Sequence, residues 1–202
     1  MIMKKWFMKA MAAVLAGVMT CMMLCSAVSA SEAESDAKET LPEFRYTGED
    51  PYFDAILDYI RKTDGENYDA SQVMIPAFIL LEEDASDPED IKVWGNFWIF
   101  NYDLEGTTLM MQSGGEAPGL IHLKKTEDGF EVTSMDRVGD GSDYDPDMER
   151  IFGVKKELLE AIRAADEDLD KVRAEYIRMY SEESGIEITA FQDYGWDPVP
   201  IE

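Results

Sequence analysis

The sequence predicts an α+β domain, a curved antiparallel sheet of meander type with helices packed against one face. Three observations carry this expectation. Phe53, Ile56, Leu57 and Ile60 recur at helical spacing. From Val73 to Met135, apolar segments of strand-like composition alternate with turn signals. From Leu158 onward the helical period returns, and Ile186, Ile188 and Ala190 then alternate as a last strand.

Residues 1–30 have the three parts of an export signal. Lys4, Lys5 and Lys9 make a positive start, Ala10 to Leu24 is almost wholly apolar, and Val28-Ser29-Ala30 fits a small-residue cleavage site. Cleavage after Ala30 is expected, with the product extracellular or at the cell surface. The rival readings are an anchor retained through residues 10–24 and a lipid-modified Cys21 or Cys25, whose preceding residues fit poorly. Both cysteines lie in this segment, so the remainder has no disulfide, zinc-thiolate site or cysteine nucleophile. Residues 31–43 are polar and charged with one large apolar residue, Leu41, and read as a flexible acidic tether to a single domain over 44–202.

Within the domain, Asp50 and Pro51 suit the start of the first helix, and Arg61, Lys62 and Gly65 its end. Val73–Leu81 is apolar, and Pro76 marks it as an edge strand or a bulge. In Ile91–Leu104, Val93, Gly95, Phe97 and Ile99 share one face, and Trp94, Trp98, Phe100 and Tyr102 the other. Two apolar faces mean a strand covered on both sides or one lining a cavity. A turn at 103–106 leads into 107–112, the loop 113–119 into 120–125, and the turn 127–129 into 130–135. Asp145-Pro146 opens a short helix ending near Gly153. Leu158, Ile162, Ala165, Leu169, Val172, Tyr176 and Met179 form one helical stripe, unless Asp166-Glu167-Asp168 caps a second helix within it. There is no internal repeat.

The whole chain carries 18 basic and 43 acidic residues, a formal charge of −25. Without the three lysines of the signal, 15 basic residues stand against the same 43 acids, a charge of −28. Nucleic acid and anionic membrane surfaces would be repelled, whereas cationic partners and divalent metals are admitted.

Val93-Trp-Gly-Asn-Phe-Trp98, Ser113-Gly-Gly-Glu-Ala-Pro-Gly119, His122 and Asp193-Tyr-Gly-Trp196 resemble a family of exported bacterial proteins over roughly residues 50–198. No activity is assigned to that family, so the resemblance implies no catalytic residues. The element order is more loosely similar to NTF2-like and cystatin-like folds, which serve enzymes, binders and assembly modules alike. The chain departs from NTF2-like order, since its strands precede the long helix.

Four groups carry candidate chemistry. The aromatic face Trp94, Trp98, Phe100 and Tyr102, with Trp196, would suit a flat or apolar ligand, against core packing as the plain alternative. His122, the only histidine, would act as a general base if a carboxylate oriented it; otherwise it is a hydrogen-bonded structural group. Ser113 precedes two glycines but lacks the nucleophile-elbow pattern, and its plain reading is a loop with glycines at positive φ. The acids Asp136, Asp140, Asp143, Asp145, Asp147 and Glu149 would suit Ca²⁺, yet Met148 and Val154 break the EF-hand spacing, and a helix N-terminus accounts for them equally. The leading expectation is a non-enzymatic exported domain that binds a small molecule or a protein through the aromatic face, with no required cofactor. The alternatives are an isomerase- or hydrolase-type enzyme using His122 with a carboxylate, and a Ca²⁺-stabilised surface protein.

Overall fold

The computed structural model describes residues 39–68 and 71–202. The expected signal and cleavage site, both cysteines and residues 31–38 of the expected tether lie outside them. No helix among the described residues is long and apolar enough to cross a membrane. In chain order the elements are α1 (Phe53–Thr63), β1 (Val73–Asp84), β2 (Ile91–Glu105), β3 (Thr108–Gly115), β4 (Pro118–Lys125), β5 (Phe130–Arg137), α2 (Tyr144–Phe152), α3 (Lys156–Ala164), α4 (Leu169–Ser184), β6 (Ala190–Gln192) and β7 (Val199–Pro200). The class is α+β, and the sheet is open.

β2 organises the sheet. Along one edge it pairs antiparallel with β1, from Val73↔Tyr102 to Asp84↔Lys92. Its other edge takes β3 and β4 end to end: Glu105↔Thr108 to Ile99↔Gly115, then Asn96↔Pro118 to Ile91↔Leu123. Phe97 and Ala117 exchange backbone hydrogen bonds (3.4 and 3.1 Å) in the gap. The two are thus one long strand bent at Glu116-Ala117. β5 pairs antiparallel with β4, β6 parallel with β3, and β7 antiparallel with β6.

The run 113–119, expected as a loop, therefore belongs to the ladder. Its glycines answer to close approach and none has a positive φ; the positive values fall at Gly106, Gly129, Gly141, Gly185 and Gly195. A Cβ at Gly114 would stand 2.7 Å from the Ile99 carbonyl oxygen, and one at Gly119 2.5 Å from that of Asp136.

The alternation of β2 divides the core as its two apolar faces imply. Ile91, Val93, Phe97 and Ile99 pack with Phe53, Ile56 and Ile60 of α1. On the opposite face, Trp94 packs with Leu120, Met148, Ile151, Phe152 and Leu158 beneath α2 and α3. Further along that face lie Phe100 and Tyr102, beneath α4. α2 and α3 thus cover one face and α1 the other, while α4 runs beside the edge strand β1 and meets both, Arg173 packing on Phe100 and the Tyr176 ring stacking on Phe53 (centroids 5.6 Å). The helical stripe is broken by a 3-10 turn over Ala165–Asp168, so the acidic triplet does separate two helices. β1 is an edge strand, as Pro76 suggests. Beside it the Tyr176 hydroxyl donates to the Phe78 carbonyl (3.4 Å).

The packed chain starts earlier than Phe44. Leu41 N–H donates to the Gln72 carbonyl (2.9 Å), Gln72 Nε2 to the Glu39 carbonyl (3.0 Å) and the Tyr180 hydroxyl to the Pro42 carbonyl (2.9 Å). Residues 39–43, assigned above to the tether, are held against β1 and α4. The lone apolar Leu41 was the visible sign of this.

Candidate functional site

The structure divides the five aromatic candidates. Trp94 is buried under α2, and its indole Nε1 donates to the Ile151 carbonyl (3.1 Å). Phe100 and Tyr102 are covered by Arg173 of α4, which is only 3% exposed. Its guanidinium lies 4.1 Å from the Phe100 ring centroid and 4.2 Å from that of Phe191. Nε and Nη2 donate to the Tyr102 hydroxyl (3.1 and 3.0 Å), while Nη1 and Nη2 grip Asp193 (2.9 and 2.7 Å). Burial opposes the charge of Arg173, but the bonds from Asp193 and Tyr102 hold it protonated. Burial also pushes the Tyr102 phenol far above its ordinary range. This part of the aromatic face is filled. Trp98, half-buried, stacks on Phe100 with centroids 5.5 Å apart.

Trp196 stands apart from the other four. Past the anchor at Asp193 the chain turns, with Trp196 N–H donating to the Asp193 carbonyl (3.1 Å) and Gly195 at φ +83°. A turn of this kind needs glycine at its third position. Gln192 Nε2 donates to the Trp196 carbonyl (2.6 Å) and closes it. The turn pushes Tyr194 and Trp196 outward, 96% and 76% exposed. Beside it a 240 Å³ depression is lined by Asp170, Asp193, Trp196, Asp197 and Val199. A second depression of 390 Å³ shares Asp170 and Val199 and continues along α4 past Glu175 and Arg178. Together they make a groove with an aromatic head, acidic at the turn and mixed in charge along α4, where Lys171 and Arg178 also line it.

His122 is held by a carboxylate. Its Nδ1 lies 2.6 Å from Asp90 and its Nε2 3.8 Å from Asp136, and its side chain is 20% exposed. Hydrogen bonds from Lys92 and then His122 lower the Asp90 carboxyl below its usual range. Ser113 is not part of this group. It accepts from Asn101 Nδ2 (3.1 Å), and its register with Asn101 puts it on the α1 face, whereas His122 shares the opposite face with Lys92. The acids are also dispersed. Asp147 accepts from the Gly139 amide (3.0 Å) and from Arg150 (2.7 Å), Glu149 accepts from Arg163 (3.1 Å), and Asp140, Asp143 and Asp145 are exposed or near the surface. Arg150 and the Gly139 amide lower the Asp147 carboxyl. Among the described residues no three His, Cys, Asp or Glu side chains converge as a metal site.

Glu116, at the bend between β3 and β4, was not singled out from sequence. Although the residue as a whole is exposed, its carboxyl accepts from Asn96 Nδ2 (3.2 Å), and the partial burial of that carboxyl, with repulsion from Asp166 and Asp140, raises it above the usual glutamate value despite that bond. Protonation of Glu116 therefore favours the folded state. That contribution is complete below the pKa of an unfolded-chain glutamate and is lost as pH rises through the higher folded value. Glu116→Gln should raise Tm at pH 7 and change it little near about pH 3.5. A lower Tm at pH 7, read in the same thermal melts, would refute this.

Compared with protein-family models, with curated proteins and with solved structures, the chain matches none of them.

Proposed function

We propose that this chain is an exported binding domain that holds a basic polypeptide partner through the turn 193–197 and the groove beside it. The observation that carries this reading is the pair Tyr194 and Trp196, both solvent-facing on a turn that Arg173 anchors from within the core. Large aromatic side chains kept in water on a turn tied to the core are typical of contact residues, because part of the ordering cost of binding is already met. Asp170 and Asp197 next to them favour a cation, which an indole face also attracts, whereas the Asp193 carboxylate is already paired with Arg173. The strong net negative charge of the chain steers such a partner in and repels acidic ones.

Titration with a short lysine- and arginine-rich peptide at low salt tests this, read by tryptophan fluorescence. In the chain starting at Ser31, which lacks Trp6, Trp94 is buried and Trp98 partly buried, so a blue shift that disappears in Trp196→Phe reports Trp196. No shift with the basic peptide, or an equal one with an acidic peptide of the same length, would end the proposal.

A second reading keeps the acid–base enzyme in play, because Asp90 orients the His122 ring as a general base requires. It requires His122→Gln to abolish a turnover that Tyr194 and Trp196 variants retain.

A further inference from the structure

The covered face of β2 has a polar break in its middle. On one side lies the apolar cluster of Trp94, Leu120, Ile151 and Leu158, and on the other Arg173 packed on Phe100 and Phe191. Asn96 and Trp98 sit between them, two residues apart and pointing the same way. Asn96 is 3% exposed and its Nδ2 is committed to Glu116, yet its Oδ1 meets no partner among the described residues. The Nε1–H of Trp98 is sealed from the surface and also meets none among them. One is a lone acceptor and the other a lone donor.

Two buried groups of opposite hydrogen-bonding sense, side by side on one strand face, fit a hydroxyl-sized guest that both accepts and donates.

We propose that Asn96 and Trp98 form a binding site for one internal water molecule, which accepts from Trp98 Nε1–H and donates to Asn96 Oδ1. With Glu116 it forms a polar rung across the sheet face and separates the two apolar clusters.

The test uses the wild-type chain, so it does not depend on a variant folding. Water-selective NMR should show a long-lived water cross-peak at one buried indole N–H proton, identified as that of Trp98 by its loss in Trp98→Phe. A crystal structure at high resolution should show one ordered water within hydrogen-bond reach of both atoms. The proposal is overturned if Trp98 Nε1–H donates directly to a protein oxygen such as the Glu116 carboxylate, or if the indole shows no water contact and the site is dry.

Discussion

Arg173→Ala is expected to destabilise the domain by about 3 kcal/mol, near the lower end of the range for breaking a buried charge pair. The removed guanidinium packs on Phe100 and Phe191, so truncation opens a gap between two rings. The Tyr102 hydroxyl loses both of its donors, and Asp193 loses a bidentate counter-charge. The Asp193 side chain is 38% exposed and regains water, which is why the cost falls at the low end. For a domain of this size the Tm should drop by roughly 6–12 °C. Arg173→Lys keeps the charge but loses the planar fork and its stacking, and should recover only part of the loss. A melt in which Arg173→Ala is as stable as the parent would mean that Arg173 does not anchor the turn.

The second large effect falls on binding alone. Trp196→Ala should weaken the complex with the basic peptide about 30-fold, as for a contact residue worth about 2 kcal/mol. Its Tm should stay within the small range of surface substitutions, because the side chain is 76% exposed and supports no core residue. Tyr194→Ala, at 96% exposure, should behave alike with a smaller loss. The two variants together separate contact from anchoring, since Arg173→Lys lowers stability and affinity at once. An unchanged affinity in Trp196→Ala, measured by calorimetry, would place the contact elsewhere.

Periods were legible where an element buries a regular stripe, as α1 and β2 do; β5 buries none of its residues and α4 buries a face beside the expected stripe. The two faces of β2 and the helix from Phe53 follow from spacing alone. The run from Ser113 to Gly119 misled because glycine serves two needs, positive φ and close approach, and composition does not separate them. Here the need is room beside neighbouring backbone, set by partners such as Ile99 and Asp136 that are distant in sequence.

The site was legible in part. Trp196 was named from sequence, but grouped with aromatics that prove to be covered from α4 and α2. Tyr194 adjoins it in the same turn and was noted only within the Asp193-Tyr-Gly-Trp196 motif, not as a site residue. Arg173 went unread because a cation one position beside an apolar stripe normally lies at the boundary with solvent. Its spacing of four from Ile177 and seven from Tyr180 was the available signal. Recognising it also required Asp193, which the sequence places on another element.

The parallel pairing of β6 with β3 bears on the order of assembly. The hairpin of β2 with β3 and β4 closes around Gly106 from neighbours in sequence, so it can zip early. β6 must find Thr108 to Met110 across roughly 80 intervening residues. Its ladder spans three residues, and that of β7 two. Amide protons of residues 190–200 should exchange through local openings well before those of β2, so the turn that carries Tyr194 and Trp196 sits on the last segment to dock and the first to peel away.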